Sequence, residues 1–289
     1  MTNINPIFVR GMSRSGGTLM VTILDSHPEI AMSYELYPHL LELGIKDDMS
    51  QIAEVISRSN TKSLSQNLKN NSLKTYAIRC HRGGLSLNQV GNLIGEVLNE
   101  GLHFSTLSGR MRMIEKCALL KMRNEGKSIW GMKCTSKYAE YLEFWPQARF
   151  INMLRDGRDV LASQLNTGSF DKSSTDIAKA WVGTHSKFGS LIEDNKLNGQ
   201  FVRYESLTRE PETELKRICT TLGVKFDKRI LNHSNQDLTI FASRHLSGDR
   251  INKKIDTKSI GRWKDDLSDE QLAEFTSFAK EALEKYDYN

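Results

Sequence analysis

Apolar residues at Ile7-Phe8-Val9 are followed by small and polar ones from Arg10 to Thr18, and then by the apolar run Leu19-Met20-Val21-Thr22-Ile23-Leu24. That order predicts a buried strand, a Gly/Ser-rich turn and an apolar helix. Asp25-Ser26-His27-Pro28-Glu29 ends the helix, because the residue before a proline is pushed out of helical backbone. Ile30-Ala31-Met32 then reads as a second strand, with Ser33-Tyr34-Glu35-Leu36 at its end. From Asp47 to Lys127 the spacing becomes helical: Leu87, Val90, Leu93, Ile94, Val97 and Leu98 share a face, and Gly101 is a stop signal. A second helix is expected from Thr106 to Arg123, whereas Asn60 to Lys74 is rich in Ser, Asn and Lys and reads as an exposed loop.

Strand signals return at Ser128-Ile129-Trp130-Gly131-Met132-Lys133, followed by a helix from Lys137 to Trp145. Arg149 to Leu154 reads as a central strand running into Arg155-Asp156-Gly157-Arg158-Asp159 and an apolar helix with Val160, Leu161 and Ser163. A helix from Thr175 to Asn195 packs Ile177, Trp181 and Phe188, and Gln200 to Glu205 is a further strand. Pro211 opens the next helix and Gly223 stops it. Asn232 to Arg262 lacks periodicity, and a loop that long is usually functional or disordered. Ser268 and Gln271 stand at capping-box spacing before the last helix. Strands alternating with helices predict the α/β class: a central parallel sheet of about five strands between helical layers. We expect one domain over residues 1–289, with 47–127 as a helical insertion.

Composition adds bounds. With 38% hydrophobic and 26% charged residues, the chain is that of a globular protein, and its formal net charge of +5 is too small to imply a nucleic-acid binder. No apolar run approaches the roughly 18 residues of a membrane span. The N-terminus lacks the basic and apolar segments of a signal peptide, so a cytoplasmic location is expected. Cys80, Cys117, Cys134 and Cys219 are widely and irregularly spaced, which points to reduced thiols rather than a zinc site or disulfide scaffold.

The chemistry concentrates at the turns. Successive N–H groups of a Gly/Ser loop and the positive end of the following helix form an anion site, here Arg14, Ser15, Gly16, Gly17, Thr18 and Leu19. Gly11, Gly16 and Thr18 keep the spacing of the nucleoside-triphosphatase loop, but Gly17 stands where its lysine belongs, which counts against triphosphate chemistry. Arg14 supplies the cation instead, and its fork suits a single phosphate or sulfate. Arg155-Asp156-Gly157-Arg158, with Ser163 one helical turn in, is a second candidate phosphate site. Glu35 and Lys133 end strands, where open α/β sheets place their chemistry. Glu35 is either a general base or a first-turn carboxylate for a helix continuing through Leu41. The basic cluster Arg79, His81 and Arg82 is either an anion-facing group or, the commoner case, a solvated turn. A nucleotide kinase or triphosphatase, and a nucleotide-binding module without catalysis, stay open as alternatives.

Taken together, these motifs resemble the sulfotransferases that use 3′-phosphoadenosine 5′-phosphosulfate (PAPS), and among them most of all the tyrosylprotein sulfotransferases. Ser13 to Met20 resembles the 5′-phosphosulfate loop, with Gly17 replacing the usual hydroxyl residue, and Leu24 to Ile30 matches its continuation. The likeness covers roughly 6–36 and 128–165 and, more loosely, 199–265. It implies a P-loop-type three-layer fold and places Glu35 on the catalytic glutamate, with Tyr34 where the group has a second glutamate. Lys133 then falls on the lysine that contacts the bridging oxygen of the departing nucleotide, and Arg155 and Ser163 on the 3′-phosphate motif. Tyr204-Glu205 resembles the strand-end element beneath the nucleotide, and Arg262-Trp263 a Lys-Trp pair, which counts back to Ser247 as the serine assisting the leaving group. The resemblance also implies no metal and a hydroxyl-bearing acceptor on a peptide, saccharide or small molecule; residues 47–127 match no part of it, and their position after the second strand is that of an acceptor-binding cap. Self-association as a homodimer is left open.

Overall fold

In this computed structural model the first apolar run forms β1 (Ile7–Gly11), the second forms α1 (Gly17–Asp25), and the residues after Pro28 form β2 (Ile30–Ser33). The structure describes residues 4–36, 48–60, 63, 71–134, 136–167, 172–238 and 251–288. Strands β3 (Ile129–Lys133), β4 (Arg149–Leu154) and β5 (Asn198–Arg203) complete a five-stranded sheet in the order β2-β3-β1-β4-β5. β2 pairs with β3 in parallel, Ile30 opposite Ile129 and Ser33 opposite Met132, and β4 with β5 in parallel, Arg149 opposite Asn198. The expected central parallel sheet flanked by helices is therefore present. β1 is its middle strand, and the turn that follows lies where the strand order diverges, the usual ligand position of open parallel sheets.

The chain divides into two compact units, one made of residues 1–8, 21–148 and 227–253, the other of 9–20, 149–226 and 254–289. The first contains the helical insertion: α2 (Met49–Arg58), α3 (Asn71–Arg82), α4 (Leu87–Asn99) and α5 (Leu107–Asn124), followed after β3 by α6 (Tyr138–Phe144). Ser86 and Gln89 form a capping box on α4, and Thr106 caps α5. Helix α3 already starts at Asn71, inside the expected loop, because Tyr76, Ala77 and Cys80 supply a buried stripe whose packing overrides the Asn/Ser/Lys composition. The aromatic core joins Phe8 to Trp130 edge-on, with ring centroids 5.9 Å apart, and Trp130 to Trp145 at 5.1 Å. Asp25 ties the end of α1 to β2: its Oδ1 accepts from the Met32 N–H at 2.7 Å, while the ammonium of Lys121, itself 2% exposed, lies 3.1 Å from that oxygen.

The second unit holds α7 (Gly157–Leu165), α8 (Ser174–Glu193), α9 (Tyr204–Arg209), α10 (Pro211–Leu222), α11 (Trp263–Asp266) and α12 (Asp269–Lys285). Its core gathers Val160, Leu161, Ile177, Trp181, Phe275 and Leu283, so Trp181 is a packing residue, as its spacing suggests. Tyr204 and Glu205 do not extend the strand as expected but begin α9. The buried Glu205 carboxylate accepts from the Asp156 N–H at 3.0 Å and from the Tyr288 hydroxyl at 2.8 Å, which holds the chain in the turn. Residues Lys228–Asn235, in the first unit, are a 3-10 helix rather than the start of a loop, with Ile230 and His233 buried.

Candidate functional site

The turn after β1 is built by main-chain geometry that few side chains tolerate. Arg14 has φ +73° and Gly16 φ +92°, so the loop alternates into the left-handed region that turns successive N–H groups to one side. Ser15 is fully buried and its hydroxyl donates to the Met12 carbonyl at 2.6 Å, which closes the turn from below. Gly17 begins α1, placing the helix's unsatisfied N–H groups directly after the loop. Beneath Gly16 lies the ring of Tyr204: a Cβ built on this glycine would meet Tyr204 Cδ2 at 2.7 Å. Only glycine fits both the backbone and the neighbour.

The residues singled out as two phosphate sites meet in the second unit. Arg14 Nε donates to the Ser163 hydroxyl at 3.0 Å, so the first loop's cation reaches the hydroxyl of the second motif. Arg155 is 4% exposed; its Nη1 donates to the Arg14 carbonyl at 2.9 Å, its Nη2 to the Ser259 carbonyl, and its guanidinium stacks 4.7 Å above the Tyr204 ring. It is a bracket between the phosphate loop and the 259–263 segment. Arg158 does different work, forking onto Asp156 at 2.8 and 3.0 Å and stacking on Trp263. Arg262 pairs with Asp266 through its Nε at 2.6 Å. Asp159, which the sequence did not mark, is fully buried and accepts from the N–H groups of Gly261 at 2.9 Å and Trp263 at 3.1 Å. Burial pushes its carboxyl up against the opposing pull of Arg155 and those two N–H groups.

In the first unit, the parallel register of β2 and β3 brings the ends of both strands to one edge. There Lys133 Nζ lies 2.7 Å from Glu35 Oε1. Arg79, on α3, donates through Nη1 to Glu35 Oε2 at 2.9 Å and to the Glu35 carbonyl at 3.2 Å. Burial pushes the Glu35 carboxyl up, but Lys133 and Arg79 together outweigh it and hold the group at about 2. Arg79 belongs to the basic cluster that the sequence favoured as a solvated turn, and the structure corrects that reading. The signal was its place one residue before Cys80 on the buried stripe of a helix.

Ser247 and the helix expected through Leu41 lie outside the described residues. The residues that are described fit a phosphorylated nucleotide. Arg155 carries a buried Nε with no partner among the described residues, two of its five N–H groups already spent on carbonyls, and the loop beside it presents main-chain donors at a helix start. Among the described residues no cluster of three His, Cys, Asp or Glu side chains could hold a metal, and no helix is long and apolar enough to cross a membrane.

Protein-tyrosine sulfotransferase A of Caenorhabditis elegans is 23% identical over 287 residues, covering 94% of this chain and 64% of its own length. The protein-tyrosine sulfotransferase of Drosophila melanogaster is 23% identical over 270 residues, covering 89% and 46%. This chain thus spans less than two thirds of these relatives. Among solved structures, the sulfotransferase domain from the Synechococcus PCC 7002 olefin synthase has the same fold, with a TM-score of 0.64 at 18% identity over 96% of this chain and 97% of that one. The sulfotransferase domain from the curacin biosynthetic pathway superposes with a TM-score of 0.61 at 19% identity, over 98% of each chain. The profile of the Sulfotransferase family matches residues 6–228, which takes in every strand of the sheet and both of the Gly-containing turns, and the chain belongs to that family.

Proposed function

We propose that the protein is a PAPS-dependent sulfotransferase that moves a sulfuryl group to an acceptor hydroxyl and releases adenosine 3′,5′-bisphosphate. The donor supplies the sulfuryl group; binding, charge neutralisation and proton transfer fall to the chain. Arg14 and the N–H groups of residues 16–19 bind the 5′ end, Ser15, whose N–H and hydroxyl both donate to the Met12 carbonyl, shapes the loop, and Ser163 with the remaining donors of Arg155 binds the 3′-phosphate. Tyr204 supports the loop from below, and Arg262 flanks the same segment. Lys133 neutralises the phosphate oxygen from which the sulfuryl group departs, with Ser247 assisting. Glu35 accepts the acceptor's proton as the new S–O bond forms and the old one breaks. Residues 47–127 provide the acceptor side.

The strongest support is the contact between Glu35 Oε1 and Lys133 Nζ, 2.7 Å apart at the ends of two paired parallel strands: a proton acceptor and a leaving-group cation held side by side. Relatives named for protein-tyrosine sulfotransfer make a tyrosine-containing peptide the first acceptor to try, ahead of saccharides and small alcohols. The test is transfer of labelled sulfate from PAPS by the wild type and by Glu35→Gln, with adenosine 3′,5′-bisphosphate binding followed by thermal shift. Glu35→Gln should lower kcat by about 10² or more and bind the bisphosphate as the wild type does. Undiminished turnover removes Glu35 from the mechanism; preference for ATP over the bisphosphate removes PAPS.

A further inference from the structure

Glu35 is held by one cation on each carboxylate oxygen, and the two cations differ in kind. Lys133 ends β3 and touches only Oε1, at 2.7 Å. Arg79 comes from α3 in the helical insertion and makes two contacts, to Oε2 at 2.9 Å and to the Glu35 carbonyl at 3.2 Å. A guanidinium that holds a side-chain oxygen and the main-chain oxygen of one residue fixes the side-chain rotamer as well as its charge. A lysine ammonium is a point charge on a flexible stem, whereas arginine's planar fork is rigid. Lys133 is therefore the partner that can turn away, and Arg79 the one that stays.

We propose that Arg79 is the positioning residue for Glu35, clamping Oε2 and the carbonyl so that Oε1 takes the acceptor proton when Lys133 turns to the leaving group. The inference rests on the reading of Glu35 as the base. It also gives the helical insertion a catalytic duty besides acceptor binding. While both cations are in place, the carboxylate is a poor proton acceptor, since together they overcome the effect of burial and hold it at about 2. Among the described residues these two are the charged groups that face it. When Lys133 swings away, the larger of the two pulls goes with it, and basicity returns at the step that consumes it.

Arg79→Gln and Arg79→Lys in the full chain test the clamp through three readouts: titration of the Glu35 carboxyl by carbon-13 NMR, with Glu35→Gln assigning the resonance; kcat and KM for PAPS with a tyrosine peptide; and calorimetric binding of adenosine 3′,5′-bisphosphate. Arg79→Gln should move the titration up toward the ordinary glutamate value of about 4.3. It should lower kcat by roughly 10- to 100-fold and leave bisphosphate affinity within about twofold, and Arg79→Lys should recover part of kcat. An unshifted titration, or a wild-type kcat in Arg79→Gln, overturns the proposal. If Arg79→Gln does not fold, a wild-type kcat in Arg79→Lys, which keeps the charge and loses the fork, overturns it equally. Full turnover by Glu35→Gln would bring down the base reading itself; loss there beside an unaffected Arg79→Gln brings down only the role of Arg79.

Discussion

Gly16→Ala probes the phosphate loop at its tightest point. Alanine at φ +92° meets the left-handed penalty of about 1–2 kcal/mol. Its Cβ would also stand 2.7 Å from Tyr204 Cδ2 and 3.3 Å from Cε2, and overpacking of that kind costs about 1–3 kcal/mol. The ring cannot retreat cheaply, because Tyr204 is 9% exposed and the Arg155 guanidinium stacks on it at 4.7 Å. Pushing the ring loosens Arg155, and Arg155 holds the Arg14 carbonyl. The expected result is a loss of about 2–5 kcal/mol in urea unfolding together with weaker binding of adenosine 3′,5′-bisphosphate by calorimetry. Gly126→Ala is the control: φ is +64° there, nothing among the described residues lies within 4 Å of the new Cβ, and a loss of about 1 kcal/mol with unchanged binding is expected. The double change Gly16→Ala with Tyr204→Ala should cost less than the two single changes added, since the clash is counted once and relieved. If Gly16→Ala lies within about 0.5 kcal/mol of Gly126→Ala, the ring beneath the loop does not restrain it and the reasoning fails.

Two further outcomes follow from buried polar groups in the second unit. Asp159→Asn keeps one oxygen for the Gly261 and Trp263 N–H groups and turns an amide toward the other, so it should cost about 1–3 kcal/mol in urea unfolding. It should also weaken bisphosphate binding through the 259–263 segment; a variant matching the wild type in both would show that Asp159 does not hold that segment. His185 is fully buried on α8, where its Nδ1 accepts from Asn152 Nδ2 at 3.3 Å, and burial first, with Arg10 second, lowers its pKa to about 3. The native state therefore binds fewer protons than the unfolded chain between pH 6.5 and 3, so stability must fall as pH drops through that window, by about 2 kcal/mol at pH 5. Urea midpoints at pH 7 and pH 5 should converge in His185→Gln, and an equal fall in both proteins would rule His185 out as the source.

How much of this could be read from the chain alone depends on how far each partner lies along it. The phosphate loop was legible because strand, glycines and helix start all fall between Ile7 and Leu24, so their spacing is itself the geometry. The same holds for Asp156, whose carboxylate caps α7 two residues away, and for the Ser268–Gln271 box on α12. Arg79 was not legible in this way, since its partner Glu35 stands 44 positions earlier and charge in a polar stretch looks solvated until α3 packs. Lys121 was more legible than it looked: it sits among Leu119, Leu120 and Met122, where a lysine has no business unless a buried anion awaits it. Its anions are Glu125, one helical turn on, and Asp25, 96 residues away, whose Oδ1 also fixes the Met32 N–H. Met32 is one residue from the end of β2, and Glu35 stands two residues beyond that end. The placement of the carboxylate thus rests on an internal charge network, in which Glu125 also pairs with Lys121 and Lys127 Nζ stands 3.6 Å from Asp25 Oδ1, so that each buried charge has more than one partner. A charge inside an apolar stretch is the mark by which a sequence betrays such supports, and the one at Lys121, passed over in reading the chain, helps to hold the strand that leads to Glu35.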